Sequence, residues 1–123
     1  MMSENKKSFL IINRKAPYGS SAARDALDVA LTISVFEQPL SLLFLDDAVL
    51  QLLPSHKPDQ IGQKNLSANL AMLEMYDIDQ LYVSRTSLEQ RGINPDTIQL
   101  KIKPLTEPEI ALLIKQHDQV LSF

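Results

Sequence analysis

The pair Asp46-Asp47 comes closer to a reaction centre than any other neighbouring side chains in this sequence. It follows an apolar run at residues 40–45, and paired acids at the end of a buried strand bind a divalent cation or accept a phosphoryl group in some α/β domains. That chemistry also needs a further acid and a lysine nearby, and the sequence identifies neither. The alternative is structural: Asp46 ends the strand and Asp47 caps the helix that follows. We expect the structural role.

Two other kinds of site are suggested less directly. His56 and His117 are far apart in the sequence, and a metal site would need at least one further ligand at a suitable spacing, so we expect surface histidines. The loop at residues 13–21 leads into a predicted helix and carries Arg14 and Lys15, which together make a general anion site. Ordinary helix capping explains the serines of this loop equally well.

Composition excludes several classes of chemistry. The 123 residues contain no cysteine, which excludes disulfides, thiolate metal sites and a thiol nucleophile. The three glycines are too far apart for a glycine-rich nucleotide loop. The net charge of −3 gives no basic excess for holding nucleic acid directly. No apolar run is long enough to cross a membrane and no signal peptide is evident, so we expect a cytoplasmic protein without cofactor or metal.

Apolar runs separated by helical patterns predict the elements that must position these residues. Strands are predicted at residues 8–13, 40–45, 80–84 and 119–123, and the alternating residues 98–103 predict a strand exposed on one face. The length predicts one domain over residues 1–123. Alternation of strands and helices predicts a doubly wound α/β domain, a three-layer fold with about five mostly parallel strands and helices on both faces.

The helices are predicted from caps and from three- and four-residue apolar spacing. The first is capped by Ser20 or Ser21 and runs to about residue 36, and a second covers residues 65–76. Thr86 or Ser87 caps a short helix that ends at a glycine, and the last helix opens at Thr106 with a capping box. The predicted core face of the first helix comprises Leu27, Ala30, Leu31, Ser34 and Val35.

The segment after the acid pair is more apolar than one covered helix face requires. Its apolar side chains surround most of one turn, so either the segment is wholly buried in its own chain or another subunit covers part of it. The sequence leaves both possibilities open. The candidate subunit interface combines this segment with the end of the second helix, as Leu50, Leu52, Leu53, Met75 and Tyr76.

Several short strings, taken in their order and spacing, resemble the TusC/DsrF-like subunits of the DsrE/DsrF/DsrH sulfur-relay family. The strings are APYG (16–19), RDALD (24–28), QLLP (51–54), KPD (57–59), YDI (76–78), SLEQRG (87–92) and DQVLSF (118–123). The resemblance covers nearly the whole chain. One departure is Ser55-His56, where the family pattern has a glycine-containing turn.

The resemblance implies a function within an assembly. Chains of this kind join TusB-like and TusD-like subunits, as a dimer of three-chain units, and the complex passes persulfide sulfur towards 2-thiolation of the wobble uridine in tRNA. The thiol-bearing relative has a cysteine near the end of a strand, and the comparable residues here are 82–85, with Ser84 and no thiol. We therefore expect a non-catalytic subunit without direct contact to nucleic acid or membrane. The alternative is a small stand-alone α/β enzyme or phospho-acceptor that uses Asp46 and Asp47.

Overall fold

Two nearly uninterrupted apolar strands, β1 (Phe9–Asn13) and β2 (Leu40–Phe44), lie side by side at the centre of a parallel sheet. The computed structural model describes residues 6–53 and 73–123. Within these ranges β2 is followed by β3 (Leu81–Ser84), β4 (Lys103–Leu105) and β5 (Gln119–Ser122). Strands with both faces covered read as continuous apolar runs, which explains the sequence of β1 and β2.

The strand order is β4-β3-β2-β1-β5, and all pairs are parallel. From β1 to β4, each new strand is added next to the previous one on the same side of the sheet. The chain then returns across the sheet, and β5 pairs with the other side of β1. Each crossover therefore carries the chain from the carboxyl edge of the sheet back to its amino edge. The predicted parallel α/β architecture is confirmed.

The helices pack on both faces of the sheet. They are α1 (Ala22–Val35), α2 (Arg85–Gln90) and α3 (Glu107–Lys115), with 3₁₀ segments at Asp46–Leu52 and Pro95–Thr97. Alternate residues of β1 point into two cores: Ile11 packs with α1, whereas Leu10 and Ile12 pack with α3. None of the helices in the two described ranges is long and apolar enough to cross a membrane.

Helix starts were predicted with mixed success. The capping box of α3 is confirmed, since the backbone N–H of Thr106 donates to Glu109 Oε1 at 2.8 Å. The prediction that Thr86 or Ser87 caps α2 is wrong: the N-cap is Ser84, whose hydroxyl accepts the backbone N–H of Ser87 at 3.1 Å. Ser84 is also the last residue of β3, so strand and helix follow each other without a loop.

Three other predictions need correction. The strand predicted at residues 98–103 is wrong; a 3₁₀ turn precedes this stretch and the strand begins only at Lys103. Asp47 is not a helix cap, because the segment is a 3₁₀ helix whose N-cap position is Leu45. Val35 is 65% exposed rather than part of the core, and the buried residues of α1 are Ala23, Ala26, Leu27 and Ala30.

Part of the sequence prediction lies outside the described residues. The polar connection with His56 and the first part of the helix predicted at residues 65–76 belong to it. The last residues of that helix are described, and its final turn buries Leu73 completely.

Candidate functional site

The carboxyl edge of β2 and β3 brings the acid pair next to α2. Asp47 Oδ1 accepts two hydrogen bonds from Arg91, at 2.8 Å from Nη2 and 3.2 Å from Nε. The side chain of Asp47 is 61% exposed and that of Arg91 is 24% exposed. Asp46 follows β2 in the left-handed conformation, with a φ of 52°. Asp47 thus anchors the 3₁₀ segment to the end of α2.

Two buried serines complete this edge by binding backbone N–H groups. The Ser87 hydroxyl accepts the N–H of Asp46 at 2.9 Å, and the Ser84 hydroxyl accepts the N–H of Ser87. Both serines are 5% exposed. Among the described residues no histidine, lysine or carboxylate hydrogen-bonds to either hydroxyl. Neither serine therefore has, among these residues, a base in contact that would activate it as a nucleophile.

The histidine and anion candidates have structural contacts. His117 is half-buried, not a free surface residue: its Nδ1–H donates to the Leu113 carbonyl at 2.8 Å, and its Nε2 lies 3.0 Å from Ser41 Oγ. It therefore ties the end of α3 to β2. In residues 6–53 and 73–123 no three His, Cys, Asp or Glu side chains are grouped so that they could hold a metal ion.

The loop before α1 is held by its own side chains. The Ser20 hydroxyl accepts the N–H of Ala22 at 3.3 Å, and the Ser21 hydroxyl donates to Asp25 Oδ2 at 3.0 Å. Gln51 reaches across from the 3₁₀ segment and donates to the Lys15 carbonyl at 2.8 Å. A carboxylate already lies in the first turn of α1, where it interacts favourably with the helix dipole. Ser20 thus accepts one backbone N–H at the start of α1, whereas Ser21 occupies the N-cap position without a side-chain cap hydrogen bond.

The predicted interface residues divide according to helix geometry. A 3₁₀ helix has three residues per turn, so Val49 and Leu52 lie on one stripe and Leu50 and Leu53 on the next. The first stripe is buried in the core of the domain, with Leu52 5% exposed, whereas Leu50 and Leu53 are half-buried. Leu52 is therefore unavailable to a partner. Whether the others form an interface stays a prediction.

The amino edge of the sheet carries an apolar surface that the sequence prediction found only in part. Met75 is 79% and Tyr76 38% exposed, and Val35 and Phe36 are 65% and 69% exposed. The hydroxyl of Ser34 donates to the Tyr76 carbonyl at 3.1 Å, so the two exposed pairs flank one hydrogen bond. The sequence analysis placed Val35 on the core face of α1 because its spacing fits the apolar stripe approximately. In the structure the side chain of Val35 lies away from the core.

A shallow cavity of about 290 Å³ opens beside these exposed pairs. It lies at the start of β2 and just before β3, and most of its side chains are polar. Two carboxylates face it together with hydroxyl, amide and imidazole groups, among them Ser34, Gln38, Ser41, Asp77, Asp79 and His117.

Within the described residues, these features define a parallel α/β domain whose polar groups at the carboxyl edge hydrogen-bond to the chain itself and whose amino edge exposes apolar side chains beside a polar cavity. Residues 7–123 match the model of the DsrE/DsrF-like family, and the chain belongs to that family. The sequence prediction of this family is confirmed.

Individual relatives point to the same branch of the family. The chain is 40% identical over 116 residues to a TusC homolog of Pseudomonas aeruginosa, covering 94% of this chain and 98% of that protein. It is 33% identical over 118 residues to protein TusC of Escherichia coli, covering 95% and 99% of the two chains. Over 97 residues it is 44% identical to the intracellular sulfur oxidation protein DsrF of Allochromatium vinosum, covering 79% and 71%.

The fold is also similar to a solved structure. The ychN protein of Escherichia coli superposes with a TM-score of 0.81 at 26% identity, covering 95% of this chain and 99% of that chain. This likeness concerns the fold; the relatives named TusC and DsrF support a sulfur-relay subunit.

Proposed function

We propose that this chain is a non-catalytic subunit of a TusBCD-type sulfur-relay complex in the cytoplasm, and that it supports 2-thiolation of the wobble uridine in tRNA. One observation carries the proposal: the chain is similar to TusC proteins over nearly its whole length, yet its sequence contains no cysteine that could carry sulfur.

The chemistry of the relay explains why the absence of cysteine matters. Persulfide sulfur moves when a thiolate attacks a sulfur atom, so every covalent carrier must itself supply a sulfur. A serine hydroxyl forms no persulfide, and the sequence contains no cysteine elsewhere. The Ser84 hydroxyl, moreover, accepts the Ser87 N–H and thereby fixes the start of α2.

A subunit without a thiol acts through its surfaces. In the proposed complex it positions the thiol-bearing TusD-like subunit, and a TusB-like subunit completes each three-chain unit of a dimer of trimers. The half-buried Leu50 and Leu53 and the exposed Met75 and Tyr76 are the predicted residues that the fold leaves accessible for such contacts. The phospho-acceptor alternative has no comparable support, because Asp47 is already paired with Arg91.

Co-expression with TusB-like and TusD-like chains tests the proposal directly. We expect a single species at micromolar concentration whose mass, measured by light scattering, corresponds to all three chains. A persulfide donor should then load sulfur onto the TusD-like chain and leave this one unlabelled. If the three chains purify separately, or if this chain alone retains transferable sulfur, the proposal is wrong.

A further inference from the structure

Three helices in the described part of the chain end with the same backbone motif but with different residues at its key position. In each, one backbone N–H donates to the carbonyl five residues earlier, and the N–H before it donates to the carbonyl three residues earlier. The five-residue hydrogen bonds run from Gln38 to Ile33, from Ile78 to Leu73 and from Ile93 to Leu88. The residue before each of these donors adopts a positive φ, as a Schellman motif requires. It is Gly92 after α2, but Glu37 after α1 and Asp77 after the helix that precedes β3.

An acid is an unfavourable choice at this position for two reasons. Glu37 and Asp77 have φ values of 58° and 59°, in a region that costs a residue with a Cβ free energy that glycine avoids. A carboxylate at a helix C-terminus also faces the negative end of the helix dipole. The helix α3 follows the favourable rule, with Lys115 in its last turn. Strained residues retained in a fold cluster at functional sites.

The two acidic helix ends share more than the acid. Their sequences are Val35-Phe36-Glu37 and Met75-Tyr76-Asp77, each an exposed apolar residue, an exposed aromatic ring and an acid in the left-handed conformation. The Ser34–Tyr76 hydrogen bond joins the two ends. The same arrangement therefore occurs twice, side by side, at one edge of the sheet.

The apolar side chains are bordered by carboxylates. Glu74 and Asp79 are exposed next to the second helix end, and the single ion pair within the described ranges, Asp47–Arg91, lies at the opposite edge. Lys7 contacts this edge through its backbone N–H, which donates to Gln38 Oε1. We call this surface the acid-rimmed patch, and it consists of Val35, Phe36, Met75 and Tyr76 with Glu37, Glu74, Asp77 and Asp79.

We propose that the acid-rimmed patch binds a partner polypeptide that presents an apolar side chain flanked by lysine or arginine. Charge complementarity selects this occupant, because an apolar contact alone would leave the carboxylates without counter-charges. The adjoining cavity, faced by Asp77 and Asp79, admits a basic side chain beside the apolar contact. The inference rests on the proposed function, since the occupant would be one of the partner chains of that complex.

The test compares variants of this chain in the assembled complex. Glu37→Gln with Asp77→Asn removes two charges from the patch, and Asp28→Asn with Asp96→Asn removes two exposed charges elsewhere. We expect the patch variant to weaken association about tenfold and to flatten its salt dependence, because rim charges act mainly through electrostatic attraction. The control pair should leave both unchanged. Equal effects of the two pairs, or none from the patch pair, would overturn the proposal.

A second pair of variants separates binding from folding. Glu37→Gly with Asp77→Gly keeps the positive φ but removes its free-energy cost, so the isolated chain should unfold at a higher temperature while association weakens. A residue placed there for structure alone would not give these opposite changes. Phe36→Asp should weaken association about thirtyfold or more if the ring is an anchor, whereas Leu112→Asp, at an exposed apolar residue outside the patch, should not.

The outcomes distinguish this inference from the proposed function. If the wild-type chain fails to assemble with its partners, the proposed function is wrong. If it assembles and the patch variants associate as tightly as wild type, only the patch assignment is wrong. Self-association of the isolated chain through Phe36, without competition from the partner chains, would also contradict the assigned occupant.

Discussion

The two edges of the sheet differ in how their polar groups are used. At the carboxyl edge, where open α/β sheets place their ligands, Ser84 and Ser87 bind backbone N–H groups and Asp47 pairs with Arg91. At the amino edge, the apolar side chains of the acid-rimmed patch, among them Phe36 and Tyr76, are exposed together with its carboxylates. In this chain the edge that usually carries chemistry has a structural role. The edge that usually only connects helices to strands presents the surface for contacts.

Replacing a large residue of the shared core should have the largest effect. Phe44 ends β2 and is 1% exposed, so Phe44→Ala leaves a cavity in the core. We expect a loss of about 3–5 kcal/mol in the free energy of unfolding, measured by urea denaturation. A loss below about 1 kcal/mol would mean that Phe44 is not packed tightly in the core as described.

The carboxyl edge should be sensitive to loss of a hydroxyl. Ser87→Ala leaves the partly buried N–H of Asp46 without its acceptor, and we expect a loss of about 0.5–1.5 kcal/mol in the free energy of unfolding. The contrasting variant at the amino edge is Phe36→Ser, which should change stability by about 0.5 kcal/mol or less. If the Phe36 variant proved the more damaging in the isolated chain, the comparison between the edges would fail.

The ion pair at the carboxyl edge should contribute little. Asp47→Ala removes an exposed partner of Arg91, so we expect a loss of about 1 kcal/mol or less. The same variant separates structure from chemistry: incubation with Mg²⁺ and a phosphodonor should label neither the wild type nor the variant. Metal-dependent labelling of the wild type alone would revive the phospho-acceptor alternative.

Acidification should weaken the fold slightly, because two carboxylates that accept backbone hydrogen bonds become protonated. The backbone N–H of Thr106 lowers the pKa of Glu109, and the backbone N–H of Ser8 lowers the pKa of Asp118. Because these pKa values are lower in the folded than in the unfolded chain, the stabilisation is present above the unfolded pKa and is lost as pH falls through the folded one. Glu109→Gln with Asp118→Asn should therefore show a shallower decline of stability with falling pH in urea titrations. An unchanged slope would contradict this assignment.

Sequence patterns predicted the central strands β1 and β2 because these strands are buried on both faces. The central strands read as apolar runs, and the capping box at Thr106 depends on two side chains at a fixed spacing, so local sequence determined both. The alternating pattern at residues 98–103 gave a wrong strand because Ile98, Leu100 and Ile102 pack on the core without pairing, and pairing begins only at Lys103. Leu52 is buried rather than available at the predicted interface because the segment is a 3₁₀ helix. Its three residues per turn, instead of 3.6, decide which side chains face the core.

The candidate site was harder to predict because it depends on residues that are distant in sequence. Ser34 and Tyr76 meet only after two crossovers have formed, and no local pattern indicates that contact. The left-handed conformations of Glu37 and Asp77 were hidden for another reason. A glycine such as Gly92 predicts a positive φ from the sequence, whereas an acidic residue does not.

The position of β5 has a consequence for how the molecule forms. The backbone N–H of Ser8 donates to the Asp118 carboxylate, and the backbone N–H of Asp118 donates to the Ser8 hydroxyl. These two residues are 110 positions apart, and β5 pairs with β1 directly beside them. Closing so long a loop is entropically costly and slow compared with local contacts. Until it closes, one side of β1 presents unpaired backbone groups to any strand that reaches it first. During synthesis, the interval before β5 docks is therefore when this chain is most exposed to aggregation.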